Sequence, residues 1–105
     1  GEKTYLEVTE SNTNFVKHTN TLDLRWRNGG KQSKFSDLKK LSEEGNKVTI
    51  VVLDNWNQGL LFLNIEDVWV LKYRYWNKYW ERFCTLIGFD YDKNFKSFSD
   101  LGIAA

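Results

Sequence analysis

The chain has 105 residues, 41% hydrophobic and 28% charged, with a formal net charge of +1 and aromatic residues at an unusually high 16%. Such a composition builds one core and excludes a disordered chain; it also excludes a global positive field, so any polyanion must be met by a local patch. A single cysteine excludes an internal disulfide and a cysteine-cluster zinc site, and no apolar run is long enough to cross a bilayer.

In chain order, Tyr5, Leu6 and Val8 predict a first strand, the Ser/Thr/Asn-rich stretch from Thr9 to Asn14 a turn, and Phe15-Val16 the start of a second strand. Leu22, Leu24 and Trp26 alternate with Asp23, Arg25 and Arg27, the pattern of a half-buried strand, which stops at Asn28-Gly29-Gly30. Ser36 to Glu44 is the clearest helix: Ser36 is placed to cap it, Leu38 and Leu41 are three apart, and Gly45 supplies a left-handed stop. Lys47 to Leu53, rich in β-branched residues, predicts a central strand buried on both faces. Leu60 to Ile65 fits a strand or a buried helix, and Asp90 to Ala105 is a polar tail punctuated by Phe95, Phe98 and Leu101. These elements imply an α+β domain, mostly antiparallel sheet or an open β-barrel with one clear short helix. The whole of residues 1–105 is expected to form a single globular domain. With Gly1 at its start and no Met, the chain is expected to be a fragment of a longer one.

The segment from Trp69 to Phe83 holds three of the five tryptophans, three of the five tyrosines and four of the fifteen Lys and Arg residues. As a strand it sends Lys72, Arg74, Trp76, Lys78, Trp80 and Arg82 to one face and Trp69, Leu71, Tyr73, Tyr75, Tyr79 and Phe83 to the other. The first face offers cations between flat rings, a surface suited to nucleic acid, and the second packs a core. As a helix, residues 69–87 instead gather Trp69, Tyr73, Trp76, Trp80, Phe83 and Ile87 into one buried stripe and leave the cations as an ordinary solvated face. Trp, Tyr, Phe and Val favour the strand.

Asn64-Ile65-Glu66-Asp67-Val68-Trp69, followed by Tyr73-Arg74-Tyr75-Trp76-Asn77, resembles part of the plant-type B3 DNA-binding domain. The resemblance implies an open seven-stranded barrel that reads double-stranded DNA in the major groove, with Arg74, Trp76, Asn77 and Lys78 on or near one recognition arm. It spans about fourteen residues. The chain departs from the family in having only Val68 between Asp67 and Trp69, no Leu-x-Pro-Lys first arm, and neither the Gly-Trp nor the Gly-Asp of the C-terminal half.

Other chemistry finds less support. His18 stands alone, Cys84 reads as a small core residue, and Asp90-x-Asp92-x-Asn94 opens like a calcium loop but has Phe95 and Leu101 where Gly and Glu are needed. Glu43-Glu44 and Glu66-Asp67 are adjacent acids of a solvated kind, and Gly29-Gly30-Lys31 lacks the frame of a phosphate loop. No catalytic, metal or cofactor site is therefore expected. The leading expectation is an intracellular nucleic-acid-binding module without enzymatic activity, using Lys72, Arg74, Trp76, Asn77, Lys78, Trp80 and Arg82. The alternatives are a protein-interaction or homo-oligomerisation domain that buries the same rings, since Trp, Tyr and Arg dominate interface hot spots, and carbohydrate stacking on Trp56, Trp76 or Trp80.

Overall fold

Short apolar–polar alternations separated by Gly and Asn turns give a chain of strands, and the computed structural model, which describes residues 2–104, contains eight among those residues. In chain order the elements are β1 (Thr4–Ser11), α1 (Phe15–Thr19), β2 (Thr21–Arg27), β3 (Gln32–Ser33), α2 (Lys34–Glu43), β4 (Lys47–Asp54), β5 (Gly59–Asn64), β6 (Trp69–Asn77), β7 (Arg82–Gly88), α3 (Tyr91–Asn94) and β8 (Phe95–Ser97). The domain is α+β, with the strands divided between two four-stranded sheets. The first has the order β1-β4-β5-β8 and the second β3-β2-β7-β6. Every pairing is antiparallel except β1 with β4, whose parallel register runs from Thr4 opposite Lys47 to Ser11 opposite Asp54.

The core lies between the sheets. From the first come Val48, Ile50, Val52, Leu61 and Leu63, and from the second Leu22, Leu24 and Ile87. Each such side chain, fully buried, contributes roughly 1.5–3 kcal/mol. Helix α2 adds Phe35 and Leu38, with Leu41 partly buried against them. Its cap is Ser33, whose Oγ accepts from the Ser36 N–H at 3.0 Å, so the helix begins two residues before the Ser36 expected from sequence. Gly45 at φ +92° reverses the chain after it, the left-handed turn that the sequence placed there.

Several local expectations are corrected. Phe15-Val16 opens the helix α1, not a strand. That helix ends at Asn20, which sits at φ 55° and donates its N–H to the Val16 carbonyl. The same Asn20 then accepts from the N–H groups of Phe89 (3.1 Å, on its carbonyl) and Tyr91 (3.0 Å, on Oδ1), which ties the end of β7 to the start of the short α3. The segment from Gly59 to Asn64 is a strand. Within the polar tail, β8 pairs with β5 in the first sheet, and the buried Tyr91 of α3 donates its hydroxyl to the fully buried Asp54 at 2.5 Å. Strand β4 is central as expected, yet only one of its faces meets the core. Val51 and Leu53 on the other are half-buried beside exposed Leu6 and Val8.

Candidate nucleic-acid interface

The segment beginning at Trp69 is extended as far as Asn77, but the single strand expected over Trp69 to Phe83 is broken by a turn at residues 78–81. β6 and β7 form a hairpin at the margin of the second sheet, and the stripe of buried rings that a helix needs does not form. At its tip, Asn77 Oδ1 accepts from the Trp80 N–H at 3.0 Å, and Glu81 takes φ 52° to bring the chain back. An Asn that bonds its own turn is a local signal that can be read without tertiary context.

The expected simple alternation of faces is broken twice. Val70 lies opposite Ile87, Lys72 opposite Leu86 and Tyr75 opposite Cys84, so β6 carries extra residues on both sides of Lys72. Each bulge resets the parity of the side chains. Lys72, Tyr75 and Asn77 consequently share the face of Asp23 and Cys84, whereas Arg74 and Trp76 turn to the opposite face with Trp26, Thr85 and Phe83. Nor does either face of β6 pack a core along its length. Trp69, Leu71, Tyr73 and Trp76 are each about half exposed, and Tyr79 at the tip is 82% exposed.

On the Trp26 side the hairpin is held by a closed set of contacts. Trp26 Nε1 donates to Thr85 Oγ1 at 2.9 Å, Thr85 Oγ1 donates to the Tyr73 carbonyl at 2.5 Å, and the Tyr73 hydroxyl meets Ser36 Oγ at 2.5 Å. Arg74 lies 3.8 Å from the Phe83 ring centroid and 5.2 Å from that of Trp26, and donates to the Gly30 carbonyl at 3.2 Å. Its guanidinium is thus partly committed to the protein. A planar cation between ring faces is favourable by about 0.5–2 kcal/mol.

On the other side, Asp23 accepts from the Tyr75 hydroxyl and from Asn77 Nδ2 at 3.0 Å. Burial raises the Asp23 carboxyl above its usual range in spite of these bonds, and burial together with the adjacent Asp23 raises the Tyr75 phenol. Burial likewise pushes the Cys84 thiol up to about 11, which makes it an inert core residue. With both ends of its amide engaged, Asn77 positions the turn and Asp23; it is not a free reader of base edges.

Lys78 and Trp80 lie in the connecting turn, and Arg82 opens β7 opposite Asn77; all three are exposed. Beside them runs a groove of about 1000 Å³ between β1 and the hairpin, lined by Arg25, Arg27, Lys34, Trp76, Trp80 and Arg82, with Glu7, Glu10 and Asp23 among its acids. Two of those cations are neutralised, Arg27 by Asp37 and Lys34 by Glu7 at 2.8 Å. Among the described residues these are the only direct ion pairs. Arg25, Lys72, Lys78 and Arg82 therefore have no carboxylate partner, and Arg25 lies 5.7 Å from the Trp80 ring. No family model, curated protein or solved structure matches this chain.

Sequence reasoning found an extended, exposed aromatic-basic segment but read it as one strand, and missed both its turn and Arg25. The alternation around it was legible; that β2 would pair with β7 and bring Arg25 beside Trp80 was not, because nothing local specifies a partner strand so far along the chain. Trp56, also considered for stacking, is 62% exposed but sits between β4 and β5, away from the hairpin in the topology.

Proposed function

We propose that the β6–β7 ribbon binds nucleic acid, with double-stranded DNA as its ligand. One observation carries this reading: four cations that make no direct ion pair, Lys72, Lys78 and Arg82 on the hairpin and Arg25 on the adjacent β2, accompany exposed indole and phenol rings. Cations meet phosphates, and exposed rings contact bases or sugar edges. Pairing of β7 with β2 ends at Cys84 opposite Arg25, so beyond it the tip of the hairpin is only two strands, about 4.8 Å apart, slim enough to enter a major groove about 12 Å wide. Arg25 joins the residues expected from sequence, while Arg74 and Asn77 act by holding the ribbon in shape.

Binding of a labelled duplex, and of one of its strands alone, at two salt concentrations tests the proposal. Duplex binding at low salt that weakens in Arg82→Ala and Trp80→Ala supports it. Absence of binding at low salt, or unchanged affinity in both variants with the fold intact by circular dichroism, removes it. A second reading has its own observation: Trp69, Val70 and Leu71 are exposed by 51, 41 and 51% in a row that contains no cation, which suits an apolar protein partner. That reading predicts partner binding insensitive to salt and abolished by Leu71→Asp.

A further inference from the structure

We infer that the outer face of the first sheet is a self-association surface, on which a second copy of this chain packs face to face about a two-fold axis parallel to the strands. The first sheet has apolar side chains on both of its faces. One set forms the core; the other, Leu6 and Val8 of β1, Val51 and Leu53 of β4 and Leu60 and Phe62 of β5, points away from it. Leu6, Val8 and Phe62 are 62, 67 and 39% exposed, and the remaining three are half-buried only by their neighbours. A one-sided antiparallel sheet normally presents polar residues outward, so this arrangement belongs to a sheet covered on both sides.

The register orders the surface into rows. Val8, Val51 and Phe62 form the middle row, bounded on one side by Thr49 and Asn64, which hydrogen-bond to each other at 3.1 Å. On the other side lies the row Glu10–Leu53–Leu60–Lys96, with the carboxylate at the β1 margin and the ammonium at the β8 margin. Lys96 makes no ion pair among the described residues, and Glu10 meets only Asn55 Nδ2, at 3.4 Å. Rotation by half a turn about an axis along the strands exchanges the two margins. Glu10 of each copy then faces Lys96 of the other, and Leu53 faces Leu60. A patch complementary to itself under a two-fold is what an isologous dimer requires. The long Glu and Lys side chains tolerate the crossing of about 30° usual between packed sheets.

Five residues along the strands and four strands across span roughly 17 by 19 Å. That footprint, roughly 320 Å² per copy, lies below the range of stable interfaces, so the dimer is a weak and readily reversible one that forms at high micromolar to millimolar concentration.

Sedimentation equilibrium of the chain from micromolar to millimolar concentration tests the inference. The expected result is a monomer–dimer equilibrium that Val8→Glu abolishes; Val8 is exposed, so the fold survives the change. Glu10→Lys and Lys96→Glu each set like charges against one another twice, and each weakens the dimer by roughly fivefold at low salt, an effect that shrinks as salt is added. The double variant Glu10→Lys/Lys96→Glu restores the original affinity. A monomer throughout the range, a dimer indifferent to Val8→Glu, or a double variant as weak as the single ones overturns it. Nucleic-acid binding by the hairpin is read separately and stands or falls on its own assay.

Discussion

Neutralising the unpaired cations of the hairpin and of the adjoining β2 one at a time has a calculable effect on salt dependence. If Arg25, Lys72, Lys78 and Arg82 each displace one condensed counterion, the logarithm of duplex affinity falls against the logarithm of salt with a slope of about −3.6. Between about 50 and about 200 mM salt, affinity then drops roughly 150-fold on duplex, and roughly 50-fold on a single strand, where each contact contributes about −0.7. Lys72→Gln, Lys78→Gln and Arg82→Gln should each make the duplex slope shallower by about 0.9. Arg27→Gln should change it little, because Arg27 is already paired with Asp37. The assay is fluorescence anisotropy at four or five salt concentrations for each variant. A slope near zero, or one that Arg27→Gln alters as much as Arg82→Gln does, refutes the assignment of these four side chains to phosphates.

Other perturbations address the frame that holds the ribbon. Tyr91→Phe removes one of three hydrogen bonds to the fully buried Asp54, the other two coming from Asn57 at 3.0 Å; urea titration should show a loss of about 1.5–3 kcal/mol, the worth of a bond to a charged group. Gly30→Ala meets two obstacles, φ +85° and a Cβ 2.4 Å from the Phe83 ring that seats Arg74. It should destabilise by more than about 1 kcal/mol, measured as a lowered melting temperature, whereas Gly29→Ala, with open space around its Cβ, should lose only the backbone strain. For Cys84, the thiol is held above its ordinary 9.0 at about 11 in the fold. Its contribution is therefore whole below pH 9 and is lost as pH rises toward 11. Cys84→Ser or Cys84→Ala should flatten stability against pH in that window, as read by chemical denaturation.

Much of the fold was legible where the signal is local. The helix read at Ser36 to Glu44 carries its own apolar spacing and its Gly45 stop, although its cap is Ser33 and not Ser36, and the β-branched run from Val48 to Val52 can hardly be anything but a strand. The aromatic and β-branched content of residues 69–83 favoured extension, which is found over Trp69–Asn77 and again from Arg82, but the turn between them was not foreseen. What escaped was whatever depends on a distant neighbour. The bulges on either side of Lys72 exist only in relation to β7, and no pattern within β6 announces them. Strand periodicity therefore assigned Lys72, Arg74 and Trp76 to one face when the first lies opposite the other two. Phe15-Val16 misled because strand-favouring side chains there occupy a helix of five residues; Asn14 and Asn20 at its ends were the available warning. No element was read in the polar tail because its anchor, Tyr91 on Asp54, joins residues far apart in sequence.

The parallel pairing of β1 with β4 has a kinetic side. Among the described residues no strand made before β4 pairs with β1, since α1, β2, β3 and α2 all intervene and none of them joins that sheet. On a ribosome, the N-terminal strand leaves the exit tunnel with its ladder partner still unsynthesised. Such long loop closures slow a folding reaction, and throughout the wait Leu6 and Val8 travel on an unpaired edge, open to chaperones and to the same segment of neighbouring nascent chains.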